Sequence, residues 1–185
     1  MTTRLPKWTQ AARDQWQWRG QARPAFAEAP GPGQESVWDY PRPPVIAPDS
    51  REVVIRWGEL EVARTCNAVR VLETAHPPSF YLPWTDVVRS LLQPESGTSM
   101  CKWKGPASYW TLVDGNRRLP GVAWSYSHPF AGAEALAHCV AFYPAELTCT
   151  VDGQAVRAQP GGFYGGWITP ELTGPFKGTS GSNGW

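Results

Sequence analysis

Glycine and proline constrain this chain more than any other feature. Its 185 residues include 18 Gly and 19 Pro, together about a fifth of the chain, whereas average usage is about an eighth. Inside a helix each Pro costs about 3 kcal/mol and each Gly about 1 kcal/mol. Long helices are therefore excluded, and short strands joined by turns are favoured. Eleven Trp and a hydrophobic content of 42% predict a packed core rather than a disordered chain.

The same residues divide the chain into three segments. Residues 1–44 form a Pro- and Trp-rich extension, which we expect to dock aromatic side chains such as Trp38 on a core. Residues 45–156 show the alternating pattern of short strands. Residues 157–185 form a Gly-rich tail that we expect to pack on the domain only in part. The sequence therefore predicts one domain with two extensions.

The central segment sets the predicted fold class. Strands are predicted at 69–75 and 98–104, and Asp152-Gly153 is typical of a hairpin turn. Short helices are predicted at 84–93 and 131–138. The predicted fold class is therefore mainly β, and α+β at most.

Charge and cysteine usage limit the classes of partner. The formal net charge is +1, and no segment has the basic excess that nucleic-acid binding needs. No apolar run is long enough for a membrane span, and the amino terminus lacks a secretory leader, so we expect no membrane partner and a cytoplasmic location. The four cysteines form no C-x-x-C pair, so no metal site is predicted, and in a cytoplasmic protein we expect reduced thiols.

Glu73 is the most informative single residue. In a strand over 69–75 it shares a face with Val71, and a carboxylate on an apolar face needs a charged or hydrogen-bonding partner. Arg56 and Lys104 are the candidates for that partner. Glu73 is then a candidate acid/base or ligand-binding group. The alternatives are a structural ion pair, or a register in which Glu73 faces water.

The segment CKWKG at 101–105 supplies further candidates. A thiol near two ammonium groups can act as a nucleophile, which makes Cys101 a candidate. Strict alternation along a strand, however, places Lys104 on the face opposite to Cys101. Four aromatic residues could line a small-molecule pocket or could simply form core; they are Trp103, Tyr109, Trp124 and Tyr126.

Four runs carry a family resemblance in their order and spacing. They are RVLETAHPPSFYLPWTDV, CKWKGPASYW, AWSY and AHCVAFYP. The chain resembles the bacterial and fungal family known as domain of unknown function 427, over residues 51–151. The resemblance implies a compact antiparallel two-sheet domain, tent-like or barrel-like, with one or two short helices. The tent-like arrangement would be similar to that of methionine sulfoxide reductase B, here without its C-x-x-C metal ligands.

The family has also carried a nucleotidyltransferase-like label. That reaction usually needs two or three carboxylates that hold a divalent metal, and no paired D-x-D or D-x-E stands beside a Gly-Ser turn. Mg²⁺ would be the cofactor only under this alternative, and no other cofactor is indicated.

We therefore expect a protein that binds a small, anionic ligand in an aromatic-lined pocket between two sheets. Glu73 and Lys104 would lie at its polar end, Cys101 would be a further catalytic candidate, and Arg56 would contact the ligand. One alternative is a metal-dependent nucleotidyltransferase-like enzyme. Another is a scaffold or protein-interaction domain whose pocket is filled by Trp38 or Trp167. Exposed aromatic residues would also be compatible with a homodimer.

Overall fold

Short strands account for most of the regular structure in the computed structural model, which describes residues 6–185. Strands make up 41% and helical turns 14%, so the fold is mainly β, as the sequence predicts. The helix α1 spans Lys7–Asp14. The strands are β1 Glu35–Ser36, β2 Val45–Asp49, β3 Val53–Trp57, β4 Leu60–Thr65, β5 Ala68–Leu72, β6 Ser79–Pro83, β7 Leu92–Cys101, β8 Gly105–Asp114, β9 Arg117–Ser125, β10 Cys139–Phe142, β11 Thr148–Val151, β12 Gln154–Ala155, β13 Arg157–Ala158, β14 Trp167–Ile168 and β15 Leu172–Thr173.

Two antiparallel sheets form the body of the molecule. The large sheet has the order β2-β5-β6-β10-β9-β8-β7, and the small sheet has the order β12-β11-β3-β4. The extensions add two short pairs, antiparallel β13–β14 and parallel β1–β15. The sheets do not close into a barrel, so of the two predicted arrangements the barrel-like one is not found.

The main core lies between the two sheets. Because side chains alternate across a strand, Phe80 and Leu82 of β6 enter this core while Tyr81 points to the other face of the large sheet. The small sheet contributes Val53, Ile55 and Val62. The outer face of the large sheet therefore carries its own buried cluster, which includes Tyr81, Trp124 and Tyr126.

Both short helices predicted in the central segment are replaced by 3-10 turns. Within 84–93 the turns span Trp84–Asp86 and Arg89–Leu91, and β7 starts at Leu92. The backbone between them is extended because Val88 N–H donates to the carbonyl of Val62 in β4 (2.9 Å). Within 131–138 only Glu134–His138 is helical, because Gly132 has a positive φ of 90°, which a right-handed helix does not accommodate. Tertiary pairing with β4 therefore overrides local helix propensity within 84–93.

The hairpin predicted at Asp152-Gly153 is confirmed. Both residues have positive φ, 46° and 74°, and they join β11 to β12. A two-residue turn with positive φ at both positions matches the right-handed twist of the paired strands.

The amino-terminal extension packs on the domain through Trp38, which is fully buried in a cluster that includes Leu72 and Ala75 of the domain. Its indole N–H donates to the carbonyl of Pro175 (3.0 Å), and its ring meets Trp18 edge-on at 6.1 Å. Parallel pairing of β1 with β15 joins the two extensions directly. Within residues 6–185, no helix combines the length and the apolar character that crossing a membrane requires.

Candidate functional site

A cavity of about 560 Å³ lies against the outer face of the large sheet, a volume typical of small-molecule sites. Its floor is made by side chains that alternate with core residues, among them Val71 of β5, Ser79 of β6 and Trp124 of β9. The sequence prediction placed the pocket between the two sheets, and this is wrong. That space is filled by the main core, whereas the cavity lies against the separate aromatic cluster on the opposite face of the large sheet.

Both extensions form the walls of the cavity. Trp8 and Trp16 come from the amino-terminal extension, and Tyr164 and Lys177 come from the tail. Arg13 fastens the helical end of the extension, since its Nε donates to the carbonyl of Lys102 at 2.8 Å. Trp38 and Trp167, the residues expected to fill a pocket in the scaffold alternative, do not line the cavity.

Seven of the eight predicted site residues line this cavity. They are Glu73, Cys101, Trp103, Lys104, Tyr109, Trp124 and Tyr126. Arg56 is the exception, because it lies on β3 of the small sheet and forms an ion pair with Glu61 (3.1 Å). The structure therefore does not place Arg56 beside Glu73.

Glu73 is paired with Arg42, a residue that the sequence reading missed. Glu73 follows the end of β5, and its Oε1 accepts hydrogen bonds from Arg42 Nε and Trp103 Nε1, both at 3.1 Å. The Arg42 side chain is 0% exposed and that of Glu73 is 15% exposed. Burial opposes ionisation of Glu73, yet His76, Lys104 and Arg42 hold its pKa below the ordinary value. Glu73 is therefore a carboxylate with fixed partners.

His76 stands beside this pair in a defined tautomer. Gln159 Oε1 accepts from Gly166 N–H (3.1 Å), and Gln159 Nε2 donates to the carbonyl of Lys177 (2.8 Å). The same Nε2 lies 3.0 Å from His76 Nδ1, so Nδ1 is the acceptor and the ring proton of neutral His76 is on Nε2. Burial lowers the pKa of His76 to about 4. His76 is therefore neutral at pH 7.

Lys104 also lines the cavity, next to Tyr81 and Tyr126. Strand β7 ends at Cys101, and the following turn brings Lys104 back towards the large sheet, where its Nζ lies 5.8 Å from the centre of the Tyr126 ring. Burial opposes the charge of Lys104, but Tyr81, Cys101 and Glu73 raise its pKa above the usual value. This turn removes the objection that strict alternation would separate Cys101 from Lys104.

Trp16 is surrounded by cations. The centre of its ring lies 3.9 Å from Lys102 Nζ, 4.5 Å from Arg42 Cζ and 4.6 Å from Lys177 Nζ. Each of these distances is within the range of a cation–π interaction. The cavity is therefore lined by three positively charged residues, Lys102, Lys104 and Lys177, and by one carboxylate, Glu73. Arg42 lies behind these lining residues.

Sequence reasoning missed Arg42, Trp16, Lys177 and Gln159 because all four lie in the extensions. The extensions have no strand or helix periodicity that would assign their side chains to a face. The one available signal was composition, since Trp and Arg recur between prolines in a segment too aromatic for a linker.

The fold and the cavity define a β-sheet domain that presents an aromatic, positively charged recess on one sheet face. The sequence profile of the family described as Domain of unknown function (DUF427) matches residues 45–155. The chain belongs to this family, and the matched region contains Glu73, Cys101 and Lys104. A comparison with curated proteins finds no match.

Proposed function

We propose that the protein binds a small anionic ligand in the cavity on the large sheet. The observation that carries the proposal is the recess of about 560 Å³ in which aromatic rings surround more positive than negative charge. Glu73 is already paired with Arg42, so its charge is compensated inside the protein. The ammonium groups of Lys102 and Lys104 then attract an anion. The free cysteines fit the cytoplasmic location that the sequence predicts.

The aromatic lining supports a small organic molecule rather than a bare ion. Tyr and Trp offer an apolar face together with a polar edge, so they can hold an organic ligand and orient it. Tyr126 and Tyr143 both line the recess, and Tyr143 packs against Trp124 with ring centres 4.5 Å apart. Each of these rings is held by a neighbour, which reduces the ordering cost when a ligand binds.

Should the site also perform chemistry, Glu73 and Lys104 have the defined roles. Lys104 is positioned to stabilise negative charge, and Glu73 is positioned to accept a proton once a ligand displaces one of its hydrogen bonds. The nucleotidyltransferase alternative has less support. Among residues 6–185 no three His, Cys, Asp or Glu side chains are grouped so that they could hold a metal ion.

The test is a thermal-shift screen followed by calorimetry on the full chain. The panel contains organic acids, sugar phosphates, amino acids, and nucleotides with and without Mg²⁺. A ligand at 100 times its Kd adds about 2.7 kcal/mol, which raises the Tm of a chain of this size by roughly 5–10 °C. Lys104→Met is expected to weaken binding at least tenfold, while the exposed Lys7→Met serves as the control.

The outcomes separate the hypotheses. Binding of an anion that Lys104→Met abolishes supports the proposal. Binding that requires both a nucleotide and Mg²⁺ would favour the enzyme alternative. No binding by any member of the panel would contradict the proposal and would favour the interaction-domain alternative.

A further inference from the structure

Three cationic side chains lie against the ring of Trp16. Like charges that are brought together in a partly buried site repel each other, unless a counter-charge lies between them. Arg42 is paired with Glu73, and the Lys177 ammonium donates to the carbonyls of Ser182, Asn183 and Trp185 at 2.8–3.0 Å. In the described part of the chain, Lys102 forms neither an ion pair nor a hydrogen bond through its ammonium group. Lys102 is therefore the cation of this cluster that is available to a ligand.

The indole nitrogen of Trp16 is a hydrogen-bond donor next to these cations. Trp16 Nε1 is buried, and within residues 6–185 it has no hydrogen-bond acceptor. A buried donor without an acceptor is unfavourable, and native structures satisfy nearly all such groups. Trp16 lines the cavity, and its neighbours Lys102, Arg42 and Lys177 are donors only. A ligand oxygen that reaches Trp16 Nε1 would supply this donor with an acceptor, and among these cations an oxyanion fits best.

The mouth of the cavity has the opposite character. Trp8, Met100 and Phe163 line it and are 50%, 46% and 77% exposed. Large apolar side chains that are exposed together indicate a contact with an apolar group. A ligand whose anionic group lies at Trp16 and Lys102 would therefore carry an apolar body towards these residues.

We infer that the ligand is an oxyanion carried on an aromatic-sized apolar body, with the oxyanion held by Trp16 Nε1–H and the Lys102 ammonium. This inference rests on the proposed function and adds to it the chemical class of the ligand and the location of its charged end. A carboxylate and a phosphate monoester share this chemistry. The amino-terminal extension thus supplies a specificity-determining residue, because Trp16 lies outside the region matched by the family profile.

The experiment compares matched probes by calorimetry on the full-length protein. The probes are 2-naphthoate, 2-naphthyl phosphate and the neutral 2-naphthamide, with acetate and inorganic phosphate as anions that lack the body. The readout is the ratio of the Kd of the amide to the Kd of each charged probe. The wild-type ratio is expected to be at least about tenfold for one charged probe, since a hydrogen bond to a charged group contributes at least that much in a buried site.

Two variants locate the oxyanion. Trp16→Phe keeps an aromatic ring but removes the donor, and Lys102→Met keeps the length of the side chain but removes the charge. Each is expected to reduce the ratio at least about fivefold. Trp57→Phe, in the small sheet and outside the cavity, is the matched control and should leave the ratio unchanged. Thermal melts check that each variant is folded, and Lys102→Met provides the test if Trp16→Phe is not.

The possible results separate the inference from the proposed function. If an anion of the panel binds in a manner that depends on Lys104 but both new variants keep the wild-type ratio, the location at Trp16 is wrong and the proposed function stands. If panel anions bind but neither charged naphthyl probe does, the ligand class is wrong. An amide that binds as tightly as both charged probes would also overturn the inference. Absence of binding by every anion would overturn both.

Discussion

Loss of the Arg42 side chain should destabilise this protein strongly. Its guanidinium forms the ion pair with Glu73 (3.1 Å) and also donates to the carbonyls of Thr74 and Trp18, at 2.8 and 3.1 Å. Because Glu73 and Thr74 belong to the domain, Arg42 joins the extension to the domain at two points. Replacing it with Met leaves the Glu73 carboxylate in a site where its side chain is only 15% exposed, so water can restore little of the lost interaction.

The expected magnitude follows from this burial. Removing one partner of a buried ion pair typically costs about 3–5 kcal/mol, because the other charge is left uncompensated. In a chain of this size that loss corresponds to a decrease in Tm of roughly 6–20 °C. Glu73→Gln is expected to cost less, about 1–3 kcal/mol, since Arg42 keeps its carbonyl acceptors when the carboxylate is removed.

A double-mutant cycle measured by urea unfolding isolates the pair. The free energies of unfolding of Arg42→Met, Glu73→Gln and the double variant give a coupling energy, expected to be about 2 kcal/mol. The double variant should therefore be more stable than the sum of the single losses predicts. Additive losses, with a coupling energy near zero, would refute the argument that Arg42 compensates the buried charge of Glu73.

Three further predictions follow from local geometry. A methyl group on Gly165 would overlap the Trp124 ring, so Gly165→Ala should lower the free energy of unfolding by about 1–3 kcal/mol in urea titrations. Burial lowers the pKa of His76 to about 4, so the unfolded chain binds a proton that the folded chain does not. Stability should consequently fall by up to about 3 kcal/mol as pH falls from 6.5 to 4, and His76→Gln should flatten this dependence. Exposed Cys66 should react rapidly with a thiol reagent. Burial raises the pKa of Cys139 to about 11 and that of Cys149 to about 12, so these two thiols should react only on unfolding.

The fold class could be predicted from the sequence because its evidence is local. Glycine, proline and alternating hydrophobic residues specify short strands and turns, and the Asp152-Gly153 hairpin formed where its turn residues required it. The helix at 84–93 could not be refuted locally, because Val88 pairs with Val62 of β4, which is more than 20 residues away in the chain. The helix at 131–138 is shortened by a local feature, the positive φ of Gly132.

The candidate site could likewise be predicted from the sequence only in part. The sequence predicted that Glu73 needs a partner if it lies on an apolar strand face, because an unpaired carboxylate is costly there, and in the structure Arg42 pairs with it. The identity of the partner depended on docking of the extension. Arg56 was a reasonable candidate by sequence distance, but the strand that carries it belongs to the other sheet, and Arg42 in a proline-rich segment occupies the position instead.

Docking of the extension and the chemistry of the cavity depend on the same contacts. Arg42 fixes the extension and also keeps Glu73 ionised, while the ring of Trp16 lies 4.5 Å from that guanidinium and 3.9 Å from Lys102. Any ligand that binds Trp16 therefore binds only the docked state, and by linkage it stabilises the docked extension. The region matched by the family profile supplies the sheet floor and Glu73, whereas the extensions supply the walls. Substitutions in the extensions would therefore alter the walls of the cavity without altering the strands of its floor. The floor residues alternate along those strands with residues of the close-packed core, which tolerates little change.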